Sequence, residues 1–337
     1  MLKLHVSGAS TVVGIVVAAI SLVACSGGTS AGRSASSASP VVISEVADLA
    51  GAAPGAIVTG PDGNLWIGIL NGRIIERLTL DGTLTTLRAG LSSATNGGVT
   101  AGPDGNLWFA EVDTNRVGRI TPAGAVTEFP TGGSSPFGPT GITAGPDGNL
   151  WFTDFGGDRI GRITPQGVVT EFGGGITAHA TPFYITNGPD GNLWFTENAG
   201  NRIGRITPQG VVTEFVNGIS PRAFPDDITS GPDGNIWFTE IAGNRIGRIT
   251  PRGAVTEFSA GISANAFPLG ITAGRDGNLW FTESDGNRIG RITPLGVVTE
   301  YADGISANAQ LNSITVGPDG NIWFTEKGTD KIGRLTY

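Results

Sequence analysis

The chain has 337 residues, 15% of them charged, with a formal net charge of −8 and a single cysteine. An acidic surface repels a phosphate backbone, which excludes nucleic acid as a partner and leaves neutral, cationic or metal-bridged ligands. One cysteine excludes an internal disulfide and a cysteine-cluster metal site, so the fold must rest on packing.

The first element in the chain reads as a targeting segment. Lys3 and His5 precede an apolar run from Thr11 to Ile20, which has signal-peptide length and is short for a membrane span. Leu22-Val23-Ala24-Cys25 follows. This order resembles a bacterial lipobox, which implies cleavage before Cys25 and its lipidation. Ser26 to Pro40 is rich in Gly, Ser and Ala and reads as a flexible tether. Ser26 after the cysteine, by resemblance to Gram-negative lipoproteins, permits transfer to the outer membrane. The expected layout is a signal peptide at 1–24, lipidated cysteine and tether at 25–40, and a folded domain at 41–337. Its expected location is the cell envelope, at the outer membrane or periplasmic side, with the lipid anchor as the only membrane contact.

The folded part is a repeat. Its seven tryptophans are Trp66, Trp108, Trp151, Trp194, Trp237, Trp280 and Trp323, spaced 42, 43, 43, 43, 43 and 43 residues apart. One unit runs from Asp227 to Phe258. Ile228-Thr229 opens a strand, and Gly231-Pro232-Asp233-Gly234-Asn235 is a turn tolerant of positive φ. Ile236 to Glu240 is a second strand, rich in β-formers, and Ala242-Gly243-Asn244 turns the chain again. Arg245 to Thr250 is a third strand, and Ala254 to Phe258, after Pro251-Arg252-Gly253, is a fourth. Four strands leave no room for a helix, and a four-stranded sheet cannot bury both faces alone. The fold class expected is therefore all-β: a seven-bladed propeller with four antiparallel strands per blade and the tryptophans packed between blades. Glycine inside the third strand, as at Gly118 and Gly247, is expected where a neighbouring blade approaches closely. The last unit holds only three strands, and Val41 to Val46 resembles a fourth strand. That segment is expected to complete the last blade and close the ring, which removes free edges and suits a monomer.

Strand order separates two faces. The Pro-Asp-Gly-Asn and Thr-Pro-x-Gly turns share one end. The loops after the second strand and the long, variable connections between blades share the other, where a small-molecule or protein ligand is expected. The second strand ends in an acid in six units, at Glu111, Asp154, Glu197, Glu240, Glu283 and Glu326. Such a ring suits a divalent cation or a cationic ligand. Cross-strand pairing with Arg116, Arg159, Arg202, Arg245, Arg288 and Lys331 is the simpler explanation, because it repeats in every unit that carries the acid. A second set, Glu128, Glu171, Glu214, Glu257 and Glu300, reads as a solvated outer edge. His179, the one histidine beyond the signal segment, sits in a long loop on the candidate face.

The repeat Ile-Thr-Ala-Gly-Pro-Asp-Gly-Asn-Leu-Trp-Phe-Thr-Asp at 142–154, with Arg-Ile-Gly-Arg-Ile-Thr-Pro after it, resembles the virginiamycin B lyase (streptogramin B lyase) family over residues 41–337. The resemblance implies a lyase that opens a cyclic depsipeptide at its ester bond by elimination, with Mg²⁺ and a histidine base. An elimination needs a base for the proton next to the carbonyl and a cation for the developing enolate. In the lyase-type pattern a histidine can follow the proline at the start of a blade. The matching slots, eleven residues before each Trp, hold Gly55, Gly97, Thr140, Phe183, Asp226, Leu269 and Asn312. None is histidine. Two readings follow. The first is a non-catalytic, envelope-anchored propeller that binds a ligand or protein through its loop-rich face. The second is a Mg²⁺-dependent lyase with His179 as base and Glu283 and Glu326 as metal-holding acids.

Overall fold

Each repeat sets short runs of β-branched and aromatic residues between turns that accept positive φ, and every such run forms a strand. The structure, a computed structural model, describes residues 41–337 apart from 89, 96 and 134–136. The proposed signal peptide, Cys25 and the tether lie outside the described residues. Seven four-stranded antiparallel sheets surround a central channel. In blade 4 the strands are Pro182–Asn187, Leu193–Glu197, Arg202–Ile206 and Val212–Phe215, paired in chain order. The Pro-Asp-Gly-Asn turn closes because Gly234 and its counterparts adopt positive φ, 73° at Gly234, where a Cβ would be strained.

The ring closes as the strand count requires. Val42–Asp48 pairs antiparallel with Lys331–Thr336, with Val42 opposite Thr336 and Asp48 opposite Lys331. It forms the outer strand of blade 7 and runs slightly beyond the 41–46 segment expected. A bulge between Glu45 and Ala47 adjusts the register.

All seven tryptophans are fully buried, each packed into the next blade. Trp237 of blade 5 lies among Ile271, Leu279, Phe281 and Ile292 of blade 6. Its indole N–H donates to Asp233 Oδ1 at 3.0 Å, and the other six repeat that bond at 2.8–3.2 Å. The turn aspartate is therefore the polar partner that lets a buried indole be satisfied. A third-strand arginine covers each indole, with guanidinium carbons 5.4–5.8 Å from the ring centres. Five of these arginines also donate to a proline carbonyl of the following blade at 2.8–3.2 Å.

The third-strand glycines need a different explanation from the one expected. A Cβ on Gly118 would lie 2.0 Å from Phe109 Cζ, and on Gly247 2.2 Å from Phe238 Cζ. Those phenylalanines belong to the second strand of the same blade and sit directly across from the glycines. The ring folds over its own blade's glycine, so the close approach is within the blade and not between blades.

Candidate functional site

The six second-strand acids do not converge on one another. Each is buried inside its own blade, cross-strand from the Arg or Lys that opens the third strand. Close contacts are made by Glu197 with Arg202 at 3.8 Å and by Glu240 with Arg245 at 3.7 Å. The outer-strand set is not a solvated edge. Glu128, Glu171, Glu214, Glu257 and Glu300 have side chains only 12–20% exposed, and most of them hold down the loop that enters their blade. Glu214 accepts from Thr177 N at 2.6 Å and Thr177 Oγ1 at 2.7 Å. Glu257 and Glu300 accept from Ser220 Oγ and Ser263 Oγ, both at 2.6 Å. Glu45 does the same for blade 7, accepting from Ser306 N at 3.0 Å and Lys331 Nζ at 2.6 Å.

Inner and outer acids therefore meet in pairs. Both carboxyl oxygens of Glu197, Glu240 and Glu283 are buried without a full-strength hydrogen-bond donor. Burial first, then the neighbouring outer glutamate, pushes each of these three up to about 8. A proton on the inner acid supplies the missing donor toward Glu214, Glu257 or Glu300. Burial raises Glu111 and Asp154 to about 6. At the turns the balance is opposite. Burial alone would raise Asp190, but bonds from Trp194, Asn192 and the backbone outweigh it and hold the group below its ordinary value.

His179 lies in the loop entering blade 4. Its side chain is exposed, and its backbone N–H donates to Asp158 Oδ2 at 2.6 Å. Glu283 and Glu326 belong to blades 6 and 7, so the structure does not bring the three together. Six of the seven slot positions do come together, around two adjoining cavities. The channel is lined by the first strands of all seven blades and encloses about 250 Å³. Asp226, Leu269 and Asn312 line it. Gly97, Thr140 and Phe183 line an adjoining cavity of about 500 Å³ together with Phe137, Phe155 and Tyr184. Tyr184 faces both cavities.

Two features of this region were missed in the sequence. One is a run of rings from rim to channel: Phe137–Phe155 at 6.3 Å between centroids, Phe155–Phe183 at 5.9 Å and Phe183–Tyr184 at 5.0 Å. The other is a pair of adjacent acids. Asp227 accepts from Ile228 N and from Ile271 N of blade 6, both at 2.8 Å. Burial raises it to about 6 in spite of these bonds. Asp226 is 4% exposed. Burial and the neighbouring Asp227 hold its carboxyl well above the usual range.

The sequence profile of the virginiamycin B lyase family matches residues 41–262 and 134–337. The chain belongs to that family. It is 40% identical to virginiamycin B lyase from Staphylococcus aureus, with a TM-score of 0.81 over 88% of this chain and 100% of that one. A catalytically inactive His-to-Ala form of the same S. aureus enzyme, with quinupristin, is 39% identical at the same TM-score over 88% of this chain and 100% of that one. A streptogramin B lyase is 37% identical, again with a TM-score of 0.81, over 88% of this chain and 97% of that one. No curated protein matches the chain.

The Mg²⁺ expected of a virginiamycin B lyase does not fit the acids singled out for it. Glu283 faces Glu300 and Glu326 faces Glu45, each within its own blade and closed to solvent. Among the described residues no three His, Cys, Asp or Glu side chains are arranged to hold a metal ion.

The acid pairs have a measurable consequence. Inner glutamates with folded pKa values near 8 and unfolded values near 4.5 bind more protons when folded. Their stabilisation is complete below about pH 4.5 and is lost as pH rises through about 8. The turn aspartates act oppositely, losing their contribution below about pH 4. Stability should peak near pH 4–6, and Tm should fall by roughly 5–10 °C between pH 5.5 and pH 9. Glu197→Gln should flatten part of that slope. A Tm that is level or rises over this range would refute the shared-proton assignment.

Proposed function

We propose that this member of the virginiamycin B lyase family is a non-catalytic, envelope-anchored propeller that binds a ligand through its loop-rich face. One observation carries the reading. None of the seven slots bears a histidine, and six of them line an apolar cavity and a channel suited to holding a ligand. His179, the remaining base candidate, stands apart from both cavities. In the S. aureus enzyme a single His-to-Ala change accompanies loss of catalysis, so a ring of slots without histidine supports binding in preference to elimination. The regular circuits of loop hydroxyl, outer glutamate and inner glutamate fix the loop bases, which leaves the loop tips free to vary as a recognition surface.

The anchoring part rests on the order Leu22-Val23-Ala24-Cys25 and the Gly/Ser-rich segment after it. Expressed in a Gram-negative host with a palmitate analogue, the chain should take up label and fractionate with membranes. Cys25→Ala should abolish labelling. Equal labelling of the variant, or none of the parent, would overturn the anchor.

A further inference from the structure

We propose that the two adjoining cavities that share Tyr184, one lined by Phe137, Phe155 and Phe183 and the other by Asp226, together bind an organic ammonium ion that carries an aromatic or apolar body. The inference rests on the reading of the loop-rich face as a binding face and names the class of ligand that face takes.

Asp226 supplies the charge. It is 4% exposed and lines the channel, and burial and Asp227, not a hydrogen-bond donor, set the state of its carboxyl. No arginine or lysine lines either cavity among the described residues. Burial and Asp227 favour the neutral carboxyl in the empty protein, and an incoming N⁺–H favours the ionised form by supplying both a donor and the countercharge. An anionic ligand would meet two acids and no base.

The shape of the site suits an organic cation and not a metal ion. A divalent cation takes six or more oxygens, whereas both oxygens of Asp227 already accept backbone N–H bonds at 2.8 Å. Directly beside the acids, Tyr184 leads to a ring-lined cavity of about 500 Å³. Its rings meet edge to face at 87°, 66° and 87°, leaving ring faces and edges for an apolar body, and ring faces attract a cation as well. A bare metal ion has no use for that cavity. Position reinforces chemistry, since the acid lies on blade 5, Phe183 and Tyr184 on blade 4, and Phe137 and Phe155 beside the strands of blade 3, with Tyr184 shared between the two cavities.

The test is calorimetric titration of the full chain in detergent with 2-phenylethylammonium at pH 7.5, with 2-phenylethanol as the uncharged match and Mg²⁺ as competitor. The amine should bind, and the alcohol should bind about tenfold or more weakly. Asp226→Asn should weaken the amine by about tenfold or more while its melting temperature is retained or raised, which excludes misfolding as the cause. Phe183→Ala should weaken amine and alcohol alike. The inference is overturned if the parent does not bind the amine, if the alcohol binds equally, if Asp226→Asn binds like the parent, or if Mg²⁺ displaces the amine. Alcohol binding at full strength that is lost in Phe183→Ala would sink the cation claim yet leave the binding face standing. The non-catalytic reading is decided separately, by turnover.

Discussion

Replacing Trp237 with alanine should lower stability by about 3–5 kcal/mol, the loss typical of emptying a fully buried large aromatic site. The indole fills the seam between blades 5 and 6, stacks 5.5 Å from Phe258 and lies beneath Arg248. Its removal also leaves Asp233 Oδ1 without its indole donor. Trp237→Phe retains most of the apolar area and loses the N–H, so its cost should be smaller, on the order of 1–2 kcal/mol. Urea unfolding would read both, with a shifted midpoint at unchanged slope for a simple loss of stability. A Trp237→Ala cost below about 1 kcal/mol would mean that the seams between blades do not carry the fold.

Removing residues 41–48 should do more damage than its length suggests. The strand supplies the entire outer edge of blade 7 and carries Glu45, which binds both Ser306 and Lys331. Without it, the Lys331–Thr336 strand becomes an open edge and the loop entering blade 7 loses its tie. An unpaired edge recruits other chains. The shortened protein should lose roughly 10 °C or more in Tm and elute as dimers or larger species. A synthetic peptide of residues 41–48 should restore monomer and melting temperature. A monomer that melts like the parent would show that the ring does not depend on this closure.

Much of this architecture was legible because the repeat is so regular. The tryptophan spacing set the blade number, the turn residues set the strand order, and the three-stranded last unit predicted the closing strand. The functions of single residues were harder to read. At Gly118 and Gly247 a sequence shows that a strand glycine needs space, and not that the ring taking it is Phe109 or Phe238 of the same blade. Glu214 and Glu257 looked like a polar edge because alternation along a strand cannot show that a neighbouring loop folds back over it.

The pair of cavities was missed for a narrower reason. Reading the slots only for histidine hid what the slot and its following residue hold in each blade: Gly-Ala, Gly-Gly, Thr-Gly, Phe-Tyr, Asp-Asp, Leu-Gly and Asn-Ser, in order. The Phe183-Tyr184 and Asp226-Asp227 pairs break the small-residue trend on adjacent blades, and that break was visible in the sequence. Their joint effect was not, because it needs the ring to bring the first strands of blades 4 and 5 side by side around one channel.

The most direct test of the functional account is incubation of the full chain with quinupristin and Mg²⁺, read by mass spectrometry. The account predicts that the cyclic compound stays intact over many hours. Accumulation of the linear product, at a rate that collapses in His179→Ala, would contradict it and make this chain a lyase.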